Sequence, residues 1–389
     1  MSPSPRIPQR TPEQVESMQS KPVSRIPSLD GLRALSILMV MLLHSLQKLS
    51  QTHHVAKAWY VAGNGGLGVF IFFVISGYLI TTLLLREFDR SGRISLRRFY
   101  FRRALRILPP VYVYIAVIVM LALAGKFVLT RLNIVSAMFF FANDVRRPWA
   151  MDHLWSLAIE EQFYLLWPSV LLLCLRRGGR ATAARFALLV IVCCPFLRIA
   201  GYEFFGRGHR MLIESSLFSR ADSLMFGSFV ALGAGTPKFE RLFARANRVW
   251  WLFPIVLFLV SSPLEALYGT HWTNPVGSSL NGVCVGFLLL WVIRNHTSWV
   301  GRCLNWGPVV KIGVLSYSLY IWQQLFLNSS SPEVFGHSIL DQVPVCFVFL
   351  AGAAAFSYYL IETPSLRWRS RIEARFAAPV KSGTVTVLE

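Results

Sequence analysis

The chain has 389 residues, 54% of them hydrophobic and 15% charged, with a mean hydropathy of +0.50. Soluble domains carry about 25% charged residues, so this balance excludes a soluble globular protein and makes the bilayer the main solvent. A net charge of +20 at pH 7 would suit nucleic acid, but the basic residues punctuate apolar runs instead of forming a stripe, so nucleic acid is not the expected partner.

Residues 1–30 hold six prolines and six serines and no apolar core, which predicts a disordered cytoplasmic tail. The tail has no apolar h-region of the kind a signal peptide needs, so the first helix is expected to stay attached. Apolar windows of spanning length follow at 32–49, 67–85, 107–124, 155–175, 182–202, 213–234, 249–267, 278–294, 309–327 and 342–361. The fold class expected is therefore all-α, a polytopic membrane protein of about ten transmembrane helices. The apolar stretch within 132–142 is too short to span and reads as an interfacial or re-entrant piece. With the N-terminus inside, 28 of the 39 Lys and Arg fall on the cytoplasmic side and 9 on the outer side, with Arg33 and Arg220 inside spans. That alternation follows the positive-inside rule and predicts both termini cytoplasmic. The expected domains are the tail 1–30, a membrane core 31–362 and a basic cytoplasmic tail 363–389. The six cysteines show no metal-ligand spacing and read as buried small hydrophobes.

In the first span Arg33 and His44 are eleven residues apart, which returns to within roughly 20° of the same helix face and separates them by about 16 Å along the axis. An ionisable group at mid-bilayer needs a partner or a water-filled cavity, so His44 is either a functional residue or a structural hydrogen-bonding one. GLGVFIFFVISGYLI (66–80) places Gly68, Ser76 and Gly77 in an aromatic run, where small residues favour close helix packing. GNGGLG (63–68) resembles a dinucleotide fingerprint by letter only, because no strand precedes it. RRFYFRRALRILPPVY (97–112) gathers Arg97, Arg98, Arg102, Arg103 and Arg106 at the cytoplasmic start of the third span. Forked guanidinium groups suit phosphate, although topology alone also calls for basic residues here.

DHLWSLAIEEQFYLLWP (152–168) opens the fourth span from the outer side, with His153 and Glu160 two turns apart on one face. A carboxylate there could support an imidazole as general base, or could form an interhelical ion pair with Arg33 or Arg220. In SRADSLMFG (219–227), Arg220 and Asp222 are two residues apart and cannot face each other, so each either lines a path or bonds another helix. Tyr317, Tyr320, Trp322 and Glu362 complete the polar intrusions. Glu362 is placed to pair with an arginine of the basic loop. His53 and His54 fall in an outer loop without metal-site spacing, and no metal is expected.

Together these motifs resemble membrane acyltransferase family 3, which includes bacterial O-antigen and exopolysaccharide O-acetyltransferases and macrolide O-acyltransferases. Arg33 to His44 matches the family's Arg-x10-His signature, GVFIFFVISGYLI its GVxxFFxxSG element, RRALRILP its arginine-rich loop and HLWSLAIEEQF its WSLxxExQ element. RADSLMFG and IETP match later, weaker motifs. The resemblance implies a ten-helix core in a bacterial inner membrane. It also implies an acyl-CoA dependent O-acyltransferase that moves an acyl group, acetyl above all, from cytosolic acyl-CoA to a hydroxyl of an envelope carbohydrate or related glycoside. On that reading Arg33, Arg102, Arg103 and Arg106 hold the CoA phosphates, and His44, His153 and Glu160 carry the chemistry. Ser76, Trp155, Arg220, Asp222 and Tyr317 then line the substrate path. Gln323 stands where many relatives have histidine. Some relatives also carry a C-terminal hydrolase-like domain, for which 363–389 is too short. The rival class is a transporter or flippase, suggested by DRSGR (89–93), but ten spans without a half-to-half repeat argue against it.

Overall fold

The computed structural model describes residues 27–377 apart from 52, 57, 58, 60, 62, 206–213 and 337. Of the two expected tails, 1–26 and 378–389 lie outside the described residues. Among the described residues every regular element is helical. The long helices in the first half are α1 (Pro27–Leu49), α2 (Gly65–Ser91), α3 (Leu96–Leu123), α5 (Leu154–Phe205) and α6 (Leu217–Gly233), with a short α4 (Arg131–Met138) before α5. In the second half come α7 (Pro237–Asn247), α8 (Leu252–Ile255) running on to α9 (Ser262–Tyr268), α10 (Ser278–Arg294), α11 (Trp299–Leu304) and α12 (Gly307–Leu327). The last two are α13 (Val343–Phe356) and α14 (Thr363–Ala377). The short apolar stretch expected within 132–142 falls on α4 and the turn after it.

Six helical stretches among the described residues are long and apolar enough to cross a membrane. Two expected windows share the 52 residues of α5, which at 1.5 Å per residue would reach about 78 Å, more than twice a bilayer core. The chain solves this at Gly178–Gly179, where the backbone leaves helical geometry and Gly179 adopts φ 69°. Trp167 stacks on Phe186 at 6.3 Å, whereas straight helix would hold them about 28 Å apart, so the chain turns back at the glycines. Other windows fall in shorter or irregular helices. α6 has 17 residues, and α7 meets the α8–α9 stretch at a 76° bend.

Helix α1 packs between α2 and α12, and α6 between α2 and α5. The α2–α6 contact is the closest kind a membrane bundle makes. A β-carbon on Gly77 would collide with the carbonyl oxygen of Leu224, and one on Gly227 with that of Val74. Around the contact Trp167 Nε1 donates to Thr81 Oγ1 at 2.8 Å, and Thr81 Oγ1 to Ser228 Oγ at 2.9 Å. We predict that Gly77→Val forces α2 and α6 apart at or above the roughly 1–3 kcal/mol of overpacking. The check is the yield of monodisperse protein on size exclusion, which should fall severely, while Leu83→Val on the exposed face should leave it unchanged.

Pro109 and Pro110 lie inside α3 and remove two helical N–H donors. The freed carbonyl of Leu105 accepts instead from Ser365 Oγ at 2.8 Å, which anchors α14 to α3. Tyr317 OH donates to Ile107 O at 2.8 Å in the same turn. The carbonyl that Pro109 frees thus ties α3 to the C-terminal helix, and the Tyr317 bond ties the same region of α3 to α12. Of the cysteines, four are buried as expected, but Cys193 and Cys303 are exposed, because each points outward from its helix.

Candidate active site

A cavity of about 80 Å³ sits where α1, α2, α3, α5 and α12 converge. Its polar lining includes Arg33, Ser76, Arg103, Arg106, Glu160 and Tyr317, six of the residues expected from sequence. Ser76 Oγ donates to Glu160 Oε1 at 2.6 Å. Arg33, Arg103 and Arg106 are the charges acting on that carboxylate, and Arg33 also reaches Asp30 at 3.3 Å. The guanidinium of Arg103 is held over the Tyr164 ring at 4.7 Å, which fixes a long side chain by cation–π contact. Ser76 is therefore more than a small packing residue, since its hydroxyl orients Glu160. The packing role belongs to Gly68 and Gly77.

Two further spaces share Arg103 and Arg106 with this cavity. One of about 370 Å³ reaches Asp30, Arg33, Arg86 and Glu362. Glu362 is 3% exposed and accepts from Ser318 Oγ at 3.3 Å, and Arg106 and Arg33 are the cations acting on it. The other is a chamber of about 810 Å³ between α2, α3 and α14. Arg102 lines that chamber, 3.5 Å from Glu87, and does not reach the central cavity.

On the opposite wall of the cavity stand Ser156 and Tyr320, whose hydroxyls are 2.5 Å apart. Tyr320 OH donates to the backbone carbonyl of His153 at 2.8 Å, so this wall separates the cavity from the His153 ring. That ring is 5% exposed and meets Tyr114 and Tyr320 edge-on at 5.3 and 5.5 Å. His44 and His153 act on each other electrostatically, and Gln47 hydrogen-bonds His44 from the next turn of α1. Buried polar atoms are nearly always paired. Here His44 Nδ1 and both ring nitrogens of His153 are buried with no hydrogen-bond partner, as are Trp322 Nε1 and Gln323 Oε1 on α12.

The candidate residues therefore form two layers. Glu160 stands with Ser76 and the arginines, while His153, two turns earlier on α5, stands with His44. The carboxylate's hydrogen bond goes to a serine, not to an imidazole. Ser156 lies between the layers, three residues after His153 and four before Glu160, and that spacing could have identified it in the sequence.

Three expected lining residues do not line the central cavity. Asp222 is fully buried in a 2.7 Å ion pair with Arg198, itself 2% exposed, because a carboxylate among apolar helices needs a cation partner. Arg198 falls within α5, so the pair joins α5 to α6. Arg220 lies over the Trp155 ring at 5.8 Å and donates through Nε to Glu214 O, and Trp155 packs edge-on against Phe73. We predict that Asp222→Ala, which strands a buried guanidinium, costs about 3–5 kcal/mol. Thermal unfolding in detergent checks this, and a melting point equal to wild type would contradict it. Among the described residues no group of three or more His, Cys, Asp or Glu side chains is placed to hold a metal ion.

The sequence profile described as an acyltransferase domain matches residues 26–361. The chain is 29% identical over 366 residues to "Putative peptidoglycan O-acetyltransferase YrhL" of Bacillus subtilis, covering 87% of this chain and 54% of that protein. It is 30% identical over 386 residues to "Putative O-acetyltransferase SACOL0978" of Staphylococcus aureus, covering 90% and 60%. Over 368 residues it is 28% identical to the peptidoglycan O-acetyltransferase OatA of Listeria monocytogenes, covering 87% and 55%. The chain thus spans little more than half the length of these curated relatives. No solved structure matches. With the profile covering nearly all of the helical core, including both histidines and the arginines around the cavity, the chain belongs to acyltransferase family 3.

Proposed function

We propose that this chain is a ten-span membrane O-acyltransferase of a bacterial inner membrane. Both termini would be cytoplasmic, and the enzyme would move an acetyl group from acetyl-CoA inside to a carbohydrate hydroxyl outside. The observation that carries this reading is the polar path along α1. At one end Arg33 borders the arginine-lined spaces, and at the other His44 stands beside His153. Eleven residues of helix separate the ends by about 16 Å, a reach that an extended pantetheine arm has. The excess of Lys and Arg on the arginine side supports assigning it to the cytoplasm.

In this mechanism Arg103 and Arg106 hold the pyrophosphate of the donor, with Arg33 assisting, and the arm passes Ser76 and Glu160. The Ser156–Tyr320 wall has to part to admit the arm, and the thioester then stops beside the two histidines, away from bulk water, which favours transfer over hydrolysis. His44 takes the proton from the acceptor hydroxyl as its oxygen attacks the thioester carbonyl. The C–S bond then breaks, and the imidazolium returns the proton to the departing thiolate. His153, hemmed in by Tyr114 and Tyr320, positions the acceptor. OatA and YrhL are named for peptidoglycan, which supports an envelope glycan as acceptor.

The experiment is transfer by purified protein in nanodiscs from acetyl-labelled CoA to peptidoglycan fragments and soluble polysaccharides, read by mass spectrometry. Acetylated glycan supports the proposal, whereas CoA release without acetylated product would sink it.

A further inference from the structure

The charge around the donor spaces is unevenly spread. The central cavity carries three arginines and one carboxylate, and the middle space four arginines with Asp30 and Glu362. The outer chamber carries eight arginines and a single carboxylate, Glu87. Arg103 and Arg106 at the neck are matched to a pyrophosphate, and six further arginines line the chamber beyond them: Arg86, Arg90, Arg93, Arg98, Arg102 and Arg369.

Positive-inside topology requires basic residues on one side of the membrane, but not their convergence around a single hollow. Here they come from three separate pieces of chain: the end of α2 and the turn after it, the start of α3, and α14. Helix α14 is held in place by Ser365 on the carbonyl that Pro109 freed, so Arg369 is delivered to the chamber by a specific contact. Its volume of about 810 Å³ suits a small-molecule end group. Forked guanidinium donors are suited to a phosphomonoester carrying two negative charges.

We infer that the outer chamber reads a second phosphate on the nucleotide end of the donor, beyond the pyrophosphate, and that Arg98 and Arg369 determine this specificity. In coenzyme A the group with this chemistry is the 3′-phosphate of the adenosine. The inference rests on acyl-CoA being the donor. It adds that donors lacking the 3′-phosphate are discriminated against in binding and not in chemistry.

The test compares acetyl-CoA with acetyl-3′-dephospho-CoA, using the full chain in nanodiscs of zwitterionic lipid. In the wild type the dephospho donor should show a KM at least about tenfold higher at similar kcat, the factor expected for loss of one charge-assisted phosphate contact. In Arg98→Ala and Arg369→Ala the KM for acetyl-CoA should rise and the ratio between donors fall toward one. Two variants on different helices keep the test valid where one of them fails to fold. Equal KM values in the wild type, or a ratio unchanged in both variants, would overturn the inference while leaving the donor reading intact. Transfer from neither donor overturns the donor reading and this inference with it. Equal KM values together with activation by anionic lipid would assign the arginines to lipid headgroups, and this also overturns it.

Discussion

His44→Ala is expected to keep the fold and lose acetyl transfer by roughly 10²- to 10⁴-fold, the usual contribution of a positioned general base. The fold should survive because His44 is only partly buried and its Nδ1 bonds nothing in the protein. Removing the ring therefore strands no strong partner, unlike the loss of Asp222 beneath Arg198. The readout is turnover in nanodiscs at matched protein level, with thermal unfolding alongside. Wild-type turnover at wild-type stability would remove His44 from the mechanism. His44→Gln, which keeps a hydrogen-bonding side chain of similar reach without a basic nitrogen, should be as inactive as His44→Ala. Activity restored by glutamine would reassign the imidazole to a purely hydrogen-bonding role.

The second large effect is expected at the neck of the donor path. Arg103 and Arg106 line all three spaces, so on the proposed route the donor's phosphates meet them. A hydrogen bond to a charged group contributes about 1.5–3 kcal/mol. Arg106→Ala should therefore weaken acetyl-CoA binding roughly 10- to 100-fold. Arg103→Ala should do at least as much, because its guanidinium is already fixed over Tyr164. Calorimetry on detergent-solubilised protein measures both, and unchanged affinity in either would contradict phosphate capture at that residue. The effect should weaken at high salt less than a surface contact would, since both arginines are half-buried.

The membrane class and the polar residues around the cavity were legible in the sequence for physical reasons. A bilayer imposes a length on apolar runs, and an ionisable residue inside such a run stands out against its neighbours. Glu160 and Tyr317 were recognisable in this way, whereas Ser76 read first as a small packing residue, and the partners of all three were hidden. The Ser76–Glu160 bond joins residues 84 apart, and nothing local to either specifies it. Asp222 shows the cost of that blindness. A carboxylate in an apolar helix reads the same whether it lines a path or pairs with a buried cation, and its cation, Arg198, lies 24 residues away on another helix. Glu160 was expected near an imidazole because His153 shares its helix face. Sharing a face over two turns still leaves about 10 Å, enough to place the two in different layers. Pro109 and Pro110 were visible as letters, but not the use made of the freed Leu105 carbonyl, which depends on Ser365 arriving from the far end of the chain.

The central claim is that donor and acceptor meet from opposite sides of the membrane, with the arginine chamber facing the donor. Sealed vesicles of known orientation, with a glycan acceptor enclosed and acetyl-CoA added outside, measure it most directly. When the chamber side faces outward, label from external acetyl-CoA should appear on the enclosed glycan, and when the orientation is reversed it should not. Label appearing only when the histidine side faces the acetyl-CoA would contradict the account.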